Sequence, residues 1–495
     1  MVNRHFSLAC HACRRKHTRC DETKPQCKKC TSRGKECPGY RDTNGFLFID
    51  QAEKSAKRAR RKGKAATPEK CAGPTVTIGK SVSPDPGMVS VTFFFNSYLM
   101  NGRNRLTSRG HFDYLLPLYS TARPDSLLAL AMEFAAGRSM ASHYCRSVDS
   151  IWHAESVVKA SSAMRTAISD PIECLTDETL LAVLLLDFAE YIKTRRMRTP
   201  LSHVHQNAAT GLVRLRGAQN FESDVGRSLL HATRSNSLHR AMRGCFDQNV
   251  DLALLAYMTT DSETCNPALQ LDGLIACSMR LDRRLARTLN EESDPAIGMV
   301  EEQLQQLDER LMAWRDSLPE DWEPQQHTMA QPPPGHGVMG PNRKTTYAFE
   351  KFGTLDVALF YNQWRCARLM VTKLLRSCQR RQNRQDALKA QAADLVKDVW
   401  KSVPYFIHGP RLSLLTEESS SPLAEAMQQL QLEEPSGLGT WYLGQILDWI
   451  IAILADDDGG LDVNGANVAA FCDLQEALHS KFVVKAAVSS RSNSV

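Results

Sequence analysis

From about residue 88 onward, apolar residues recur every three or four positions, the period of a helix with one buried face. The pattern predicts helices over Ser126 to Ala136, Asp177 to Lys193, Val250 to Tyr257, Leu269 to Leu289, Met299 to Leu318, Phe349 to Leu375, Ala387 to Val403 and Gly444 to Leu454. Asp294 ahead of Pro295 adds a start signal, a capping carboxylate with proline in the first turn. Helices so far apart in sequence imply a multi-helix bundle or solenoid-like array and not a sheet fold. Trp314, Trp364, Trp400 and Trp449 are expected to pack helix against helix. Pro332-Pro333-Pro334, with Gly335, Gly337 and Gly340, predicts an exposed internal loop over 319–345.

Residues 1–87 lack this helical period, and their composition differs as well. The whole chain has 495 residues, 42% hydrophobic, enough for a large core. Its net charge of +6 is uneven: residues 1–70 carry 19 Lys/Arg against 7 Asp/Glu, and the remainder is net acidic. A basic head on a mildly acidic body implies that a polyanion is handled at that end alone. Cys71, Cys145, Cys174, Cys245, Cys265, Cys277, Cys366, Cys378 and Cys472 are scattered singly, as expected of reduced thiols in an intracellular protein. No signal peptide is visible ahead of the first cysteines. Trp441 to Ala455, interrupted by Gln445 and Asp448, is expected to be too short to span a bilayer.

The other six cysteines, Cys10, Cys13, Cys20, Cys27, Cys30 and Cys37, form two Cys-x2-Cys-x6-Cys half-modules. A segment too small to build a core, with thiolates this close together, calls for a structural soft metal such as zinc. Six thiolates fill the eight tetrahedral positions around two Zn²⁺ ions if two of them bridge. A disulfide knot is allowed by the even count but opposed by the scattered single thiols, and a zinc cluster used only for protein contacts remains an alternative. Arg14, Arg15, Lys16, Arg19, Lys24, Lys28, Lys29, Arg33 and Lys35 fill the gaps between the cysteines and favour DNA.

The string Ala9-Cys10-His11-Ala12-Cys13-Arg14-Arg15-Lys16-His17-Thr18-Arg19-Cys20-Asp21, followed by Lys24-Pro25-Gln26-Cys27-Lys28-Lys29-Cys30, resembles the fungal binuclear zinc cluster (Zn₂Cys₆) transcription factors. The resemblance implies that Cys10 and Cys27 bridge two Zn²⁺ ions, with Cys13 and Cys20 completing one site and Cys30 and Cys37 the other. It also implies that the first helix enters the major groove of double-stranded DNA, where Lys16 and the residue after it meet a CGG-type triplet. Lysine can donate to guanine O6 and N7, whereas Arg14, Arg15 and Arg19 suit phosphate contacts. His17 departs from the usual second lysine and loosens the CGG expectation.

Downstream, Lys57, Arg58, Arg60, Arg61, Lys62 and Lys64 read as a nuclear import signal or as auxiliary phosphate contacts. No apolar heptad accompanies them, so a coiled coil is unsupported there. Ala65 to Gly87 reads as a flexible linker. Gly79-Lys80-Ser81 lacks the glycine five positions earlier that a phosphate-binding loop requires, so nucleotide hydrolysis is rejected. The expected architecture is a small two-zinc Cys₆ module with two short helices over 8–40, a basic flexible linker over 41–87, and a large mainly α-helical domain over 88–488.

Within that domain, Leu201 to Ala209 continuing to Leu215-Arg216-Gly217, and Leu307 to Pro319 with Trp322, resemble the fungal regulatory middle homology region. Arg41-Asp42 and Asp50-Gln51 are similar to a subgroup controlling secondary-metabolite gene clusters. Neither His-Glu-x-x-His nor Gly-x-Ser-x-Gly occurs, so no enzymatic role is expected. His203 and His205 read as helix polar groups, Asp456-Asp457-Asp458 as a solvated helix exit, and Glu417 to Glu434 as an amphipathic segment or an acidic activation surface. The combined expectation is a nuclear, zinc-dependent regulator of RNA polymerase II transcription, an activator, with coregulators as partners. Any homodimer would form through the helical body, and no membrane partner is expected. The alternative is a zinc-supported adaptor that does not read DNA sequence.

Overall fold

The computed structural model describes residues 9–16, 18–21, 23, 26–34, 37–39, 85–99, 109–143, 151–197, 204–217, 220–243, 266–291, 294–329, 347–378, 382–409, 437–455, 468–475 and 478. The chain divides into two compact units, Met1–Ala56 and Lys57–Val495. The first holds two short helices, α1 (His11–Arg15) and α2 (Lys28–Thr31), around the cysteines.

The second unit is a large, mainly α-helical domain. It begins with α3 (Pro86–Tyr98), α4 (Leu115–Thr121), α5 (Leu127–His143), α6 (Ile151–Ser169), α7 (Asp177–Met197), α8 (Val204–Arg216) and α9 (Asp224–Arg243). It continues with α10 (Pro267–Asn290), α11 (Asp294–Asp316), the strands β1 (Gln325–Met329) and β2 (Tyr347–Lys351), α12 (Leu355–Cys378), α13 (Gln382–His408) and α14 (Gly437–Ala455). Start signals are written locally. Asp85 accepts from the amides of Gly87 and Met88 ahead of Pro86, and Asn266 accepts from those of Ala268 and Leu269 ahead of Pro267.

Two packing centres organise this body. In the first, α5 lies against α3, α6 and α7, and Phe94, Phe112, Phe188 and Trp441 meet with ring centroids 5.1–5.6 Å apart. In the second, α12 is buried along most of its length against α10, α11, α13 and α14. The tryptophans do pack helices. The indole N–H groups of Trp314, Trp364 and Trp449 donate to the carbonyls of Pro267, Leu311 and His239, and Trp400 stacks on Phe471.

Buried charges are paired across elements. Arg109 donates to Asp272 and Gln363, Arg365 to Glu350 at 2.8 Å through both terminal nitrogens, and Arg240 to Asp187. Such pairs fix helix positions more than they add stability, because desolvating both ions offsets much of their attraction.

Several expectations change. The helix expected from Phe349 starts at Leu355: Phe349 lies in β2 opposite His327, with its side chain 1% exposed. A bend at Gly353-Thr354 separates strand from helix, where the Thr354 hydroxyl accepts from the Val357 amide. The loop expected over 319–345 begins with a 3₁₀ turn at Glu320–Trp322 and strand β1, because Trp322 is buried and β1 pairs with β2. The apolar helix α14 starts at Gly437, and its 19 residues are long enough to cross a membrane, but 78% of its apolar window is buried inside the body, as in a core helix. Val250 to Tyr257, His203, Glu417 to Glu434, Asp456-Asp457-Asp458 and nearly all of the 41–87 linker lie outside the described residues.

Candidate metal centre and basic face

Each Cys-x2-Cys pair forms the same local turn. Its first cysteine precedes a short helix and its second lies within it. The Cys13 amide donates to Cys10 Sγ at 3.4 Å, and the Cys30 amide donates to Cys27 Sγ at 3.3 Å. The His11 amide donates to the Gly39 carbonyl at 3.1 Å, tying the end of the module to its beginning. Gly39 and Gly34 take left-handed φ values of 78° and 63°, which glycine adopts without strain.

The sulfur geometry is that of ligands and not of disulfides. Cys10 and Cys27 Sγ lie 3.6 Å apart, and both Cys10 to Cys30 and Cys13 to Cys27 are 3.9 Å. A disulfide needs about 2.05 Å. Two thiolates on one tetrahedral zinc, each at about 2.3 Å, stand about 3.8 Å apart. Cys10, Cys13, Cys20 and Cys27 gather within 4.8 Å of one another, and so do Cys10, Cys27, Cys30 and Cys37. Both quartets contain Cys10 and Cys27, so six cysteines make two four-sulfur groups. This clustering is consistent with a binuclear, two-zinc site.

Burial and hydrogen bonding set the proton affinities of these thiols unequally. Burial pushes the Cys10 thiol up to about 12 and raises that of Cys27 as well, since a thiolate there lacks a counter-charge. Cys37 is held below the ordinary thiol value, chiefly by the Cys27 amide donating to it. Two divalent cations bound by these quartets would displace the thiol protons and supply the counter-charge that keeps the sulfurs ionised.

Arg15, Lys16, Arg19, Lys28, Lys29 and Arg33 are exposed around this centre. Lys16 sits one residue past α1, its amide still bonded to the Ala12 carbonyl at 3.2 Å. Arg14 lies on α1, although its side chain is outside the described part, and His17, Lys57, Arg58, Arg60, Arg61, Lys62 and Lys64 are outside the described residues. One contributor was missed from sequence. Asp21 Oδ2 accepts from the Lys28 amide at 3.0 Å and Oδ1 from the Lys29 amide at 3.3 Å, so it caps α2 from the other half-module. Its carboxyl is held at about 2, chiefly by the Thr23 hydroxyl donating to it. A carboxylate seven residues ahead of the helix it caps carries no local capping signal.

In the helical body, Asp187, Asn236, His239, Arg240 and Gln445 line a small, partly open space of about 30 Å³ with Phe112, Phe188, Tyr191 and Trp441. That volume holds a water molecule or two and no larger ligand.

Residues 8–45 match the family described as the fungal Zn(2)-Cys(6) binuclear cluster domain. No curated protein and no solved structure matches the chain. Such a cluster joined to a helical body is a fold class not associated with catalysis. The chain thus carries an N-terminal fungal Zn(2)-Cys(6) binuclear zinc cluster domain, of the kind typical of DNA-binding transcription factors, followed by a large mainly α-helical domain.

Proposed function

We propose that this protein is a zinc-dependent, sequence-specific DNA-binding regulator of RNA polymerase II transcription, acting in the nucleus as an activator. The observation that carries the reading is the pair of sulfur quartets sharing Cys10 and Cys27, surrounded by exposed cations. In this reading Cys10 and Cys27 bridge two Zn²⁺ ions, Cys13 and Cys20 complete one site, and Cys30 and Cys37 complete the other. Lys16 and His17 meet base edges of a CGG-type site, and Arg14, Arg15 and Arg19 meet phosphates. Lys57 to Lys64 serves nuclear import or adds phosphate contacts, and residues 41–87 form the linker. The helical body is a regulatory middle homology domain that receives partner signals. The likeness of Arg41-Asp42 and Asp50-Gln51 to the secondary-metabolite subgroup makes such a gene cluster the target.

The deciding experiment titrates the zinc-loaded full chain against a selected duplex and a scrambled one at two salt concentrations. Lys16→Ala should lose affinity for the selected duplex by about 1–3 kcal/mol and narrow the difference between the two. Equal losses on both duplexes would remove Lys16 from base reading. Absence of any sequence preference in the intact protein would leave the protein-interaction adaptor as the better description.

A further inference from the structure

Arg19, Cys20, Asp21, Lys28, Lys29 and Ser32 line an open depression of about 350 Å³ on the cysteine module. Three of these carry positive charge on exposed side chains, and no ion pair among the described residues engages them. Ser32, at the C-cap of α2, is exposed, and its hydroxyl can donate one further hydrogen bond. The depression spans the two half-modules: Arg19 precedes Cys20 in the first, and Lys28, Lys29 and Ser32 surround α2 in the second.

Asp21 is the one acid in this lining, and its position explains why it does not close the depression to anions. Its two oxygens accept from the Lys28 and Lys29 amides and the Thr23 hydroxyl, so its charge is taken up by the chain around α2. Those two backbone amides are spent on Asp21 as well. What remains for a ligand is a guanidinium, two ammonium groups and a hydroxyl, with a net charge of +2 after Asp21 is counted. Cations and donors converging in this way suit a tetrahedral oxyanion. An open depression leaves a small free anion largely in water, but it suits an anion carried on a polymer that other contacts already hold.

We infer that this depression seats a backbone phosphate of the bound duplex, so that the second half-module anchors DNA while the first presents Lys16 to the bases. The inference rests on the DNA-binding reading and adds Lys28, Lys29 and Ser32 to the interface. These residues set position and affinity and carry no sequence information.

The test uses the zinc-loaded full chain with selected and scrambled duplexes, between about 50 and 200 mM salt. The Lys28→Gln/Lys29→Gln double variant should bind both duplexes about tenfold more weakly, with preference between them unchanged. The slope of log affinity against log salt should shrink by about 0.9 for each phosphate the variant no longer neutralises. Ser32→Asp, which places a carboxylate in the depression, should weaken both complexes again, and Ser32→Ala should do so less. Native mass spectrometry must find the parent's zinc content in each variant, and Ser32→Asp decides the matter if the lysine variant loses metal. Unchanged affinity and salt slope, with the intact protein still binding its duplex, would overturn the depression as a phosphate seat and leave the reading of Lys16 standing. Failure of the intact protein to bind any duplex would overturn both.

Discussion

Among the described residues of 9–39, the buried side chains are Cys10, Cys13, Cys27, Cys30 and Cys37, whereas those buried deepest in the helical body include Trp449, Phe94, Phe360 and Leu128. The contrast teaches how each unit is held. Thiols offer little apolar surface, so the small module depends on what its sulfurs bind, with structural zinc contributing about 10–16 kcal/mol per ion. The body buries aromatic and aliphatic area from many helices, at about 25 cal/mol for each Å² of apolar surface removed from water.

The largest effect that separates the two is metal removal. A strong chelator should abolish DNA binding and expose the cysteines of residues 10–37 to thiol reagents, while the helical circular dichroism of the body persists. Parallel loss of the body's helical signal would mean that the body also depends on zinc. Single ligands should sharpen it. Cys27 belongs to both sulfur quartets and Cys37 to one. Cys27→Ser should therefore cost both ions and Cys37→Ser only one, counted by native mass spectrometry of the full chain. Equal losses from the two variants would argue against a shared sulfur.

The reciprocal test leaves the metal alone. Glu350 is 1% exposed and pairs with Arg365 between β2 and α12. Glu350→Ala leaves Arg365 buried without its counter-charge and should destabilise the body by about 3–5 kcal/mol, read by denaturant unfolding. Zinc content and affinity for DNA should stay at the parent's values. A coupled loss of zinc would show that the two units do not fold separately.

The same contrast explains what could be read from sequence. Cysteine spacing announces chelation directly, because ligands for one ion must lie close along a short chain, and the two quartets form from the six cysteines so spaced. Helix periodicity was legible for the same local reason, down to Asp177, where α7 begins as expected. The β1–β2 hairpin was not, since strands of five residues leave little periodicity and Phe349 reads as the start of the helix behind it. Long-range polar pairs were invisible in principle. Arg109 meets Asp272 and Gln363 across more than 160 residues, and only the packed helices bring them together.

The smallest effect asks whether metal alone orders the module. Asp21 caps α2 through hydrogen bonds that need no zinc. Its carboxyl sits at about 2, below the ordinary 3.8, so the cap's contribution is complete above about pH 4 and fades as pH falls from there through 2. Acid cannot isolate that contribution, because protons displace zinc from thiolates first. Asp21→Ala at neutral pH can. The variant should keep the parent's zinc stoichiometry while the Lys28 and Lys29 amides exchange hydrogen faster than in the parent, since each loses its acceptor. Unchanged exchange at both amides would mean that the metal–sulfur framework holds α2 without help, and the contrast between a metal-held module and a packed body would then be sharper still.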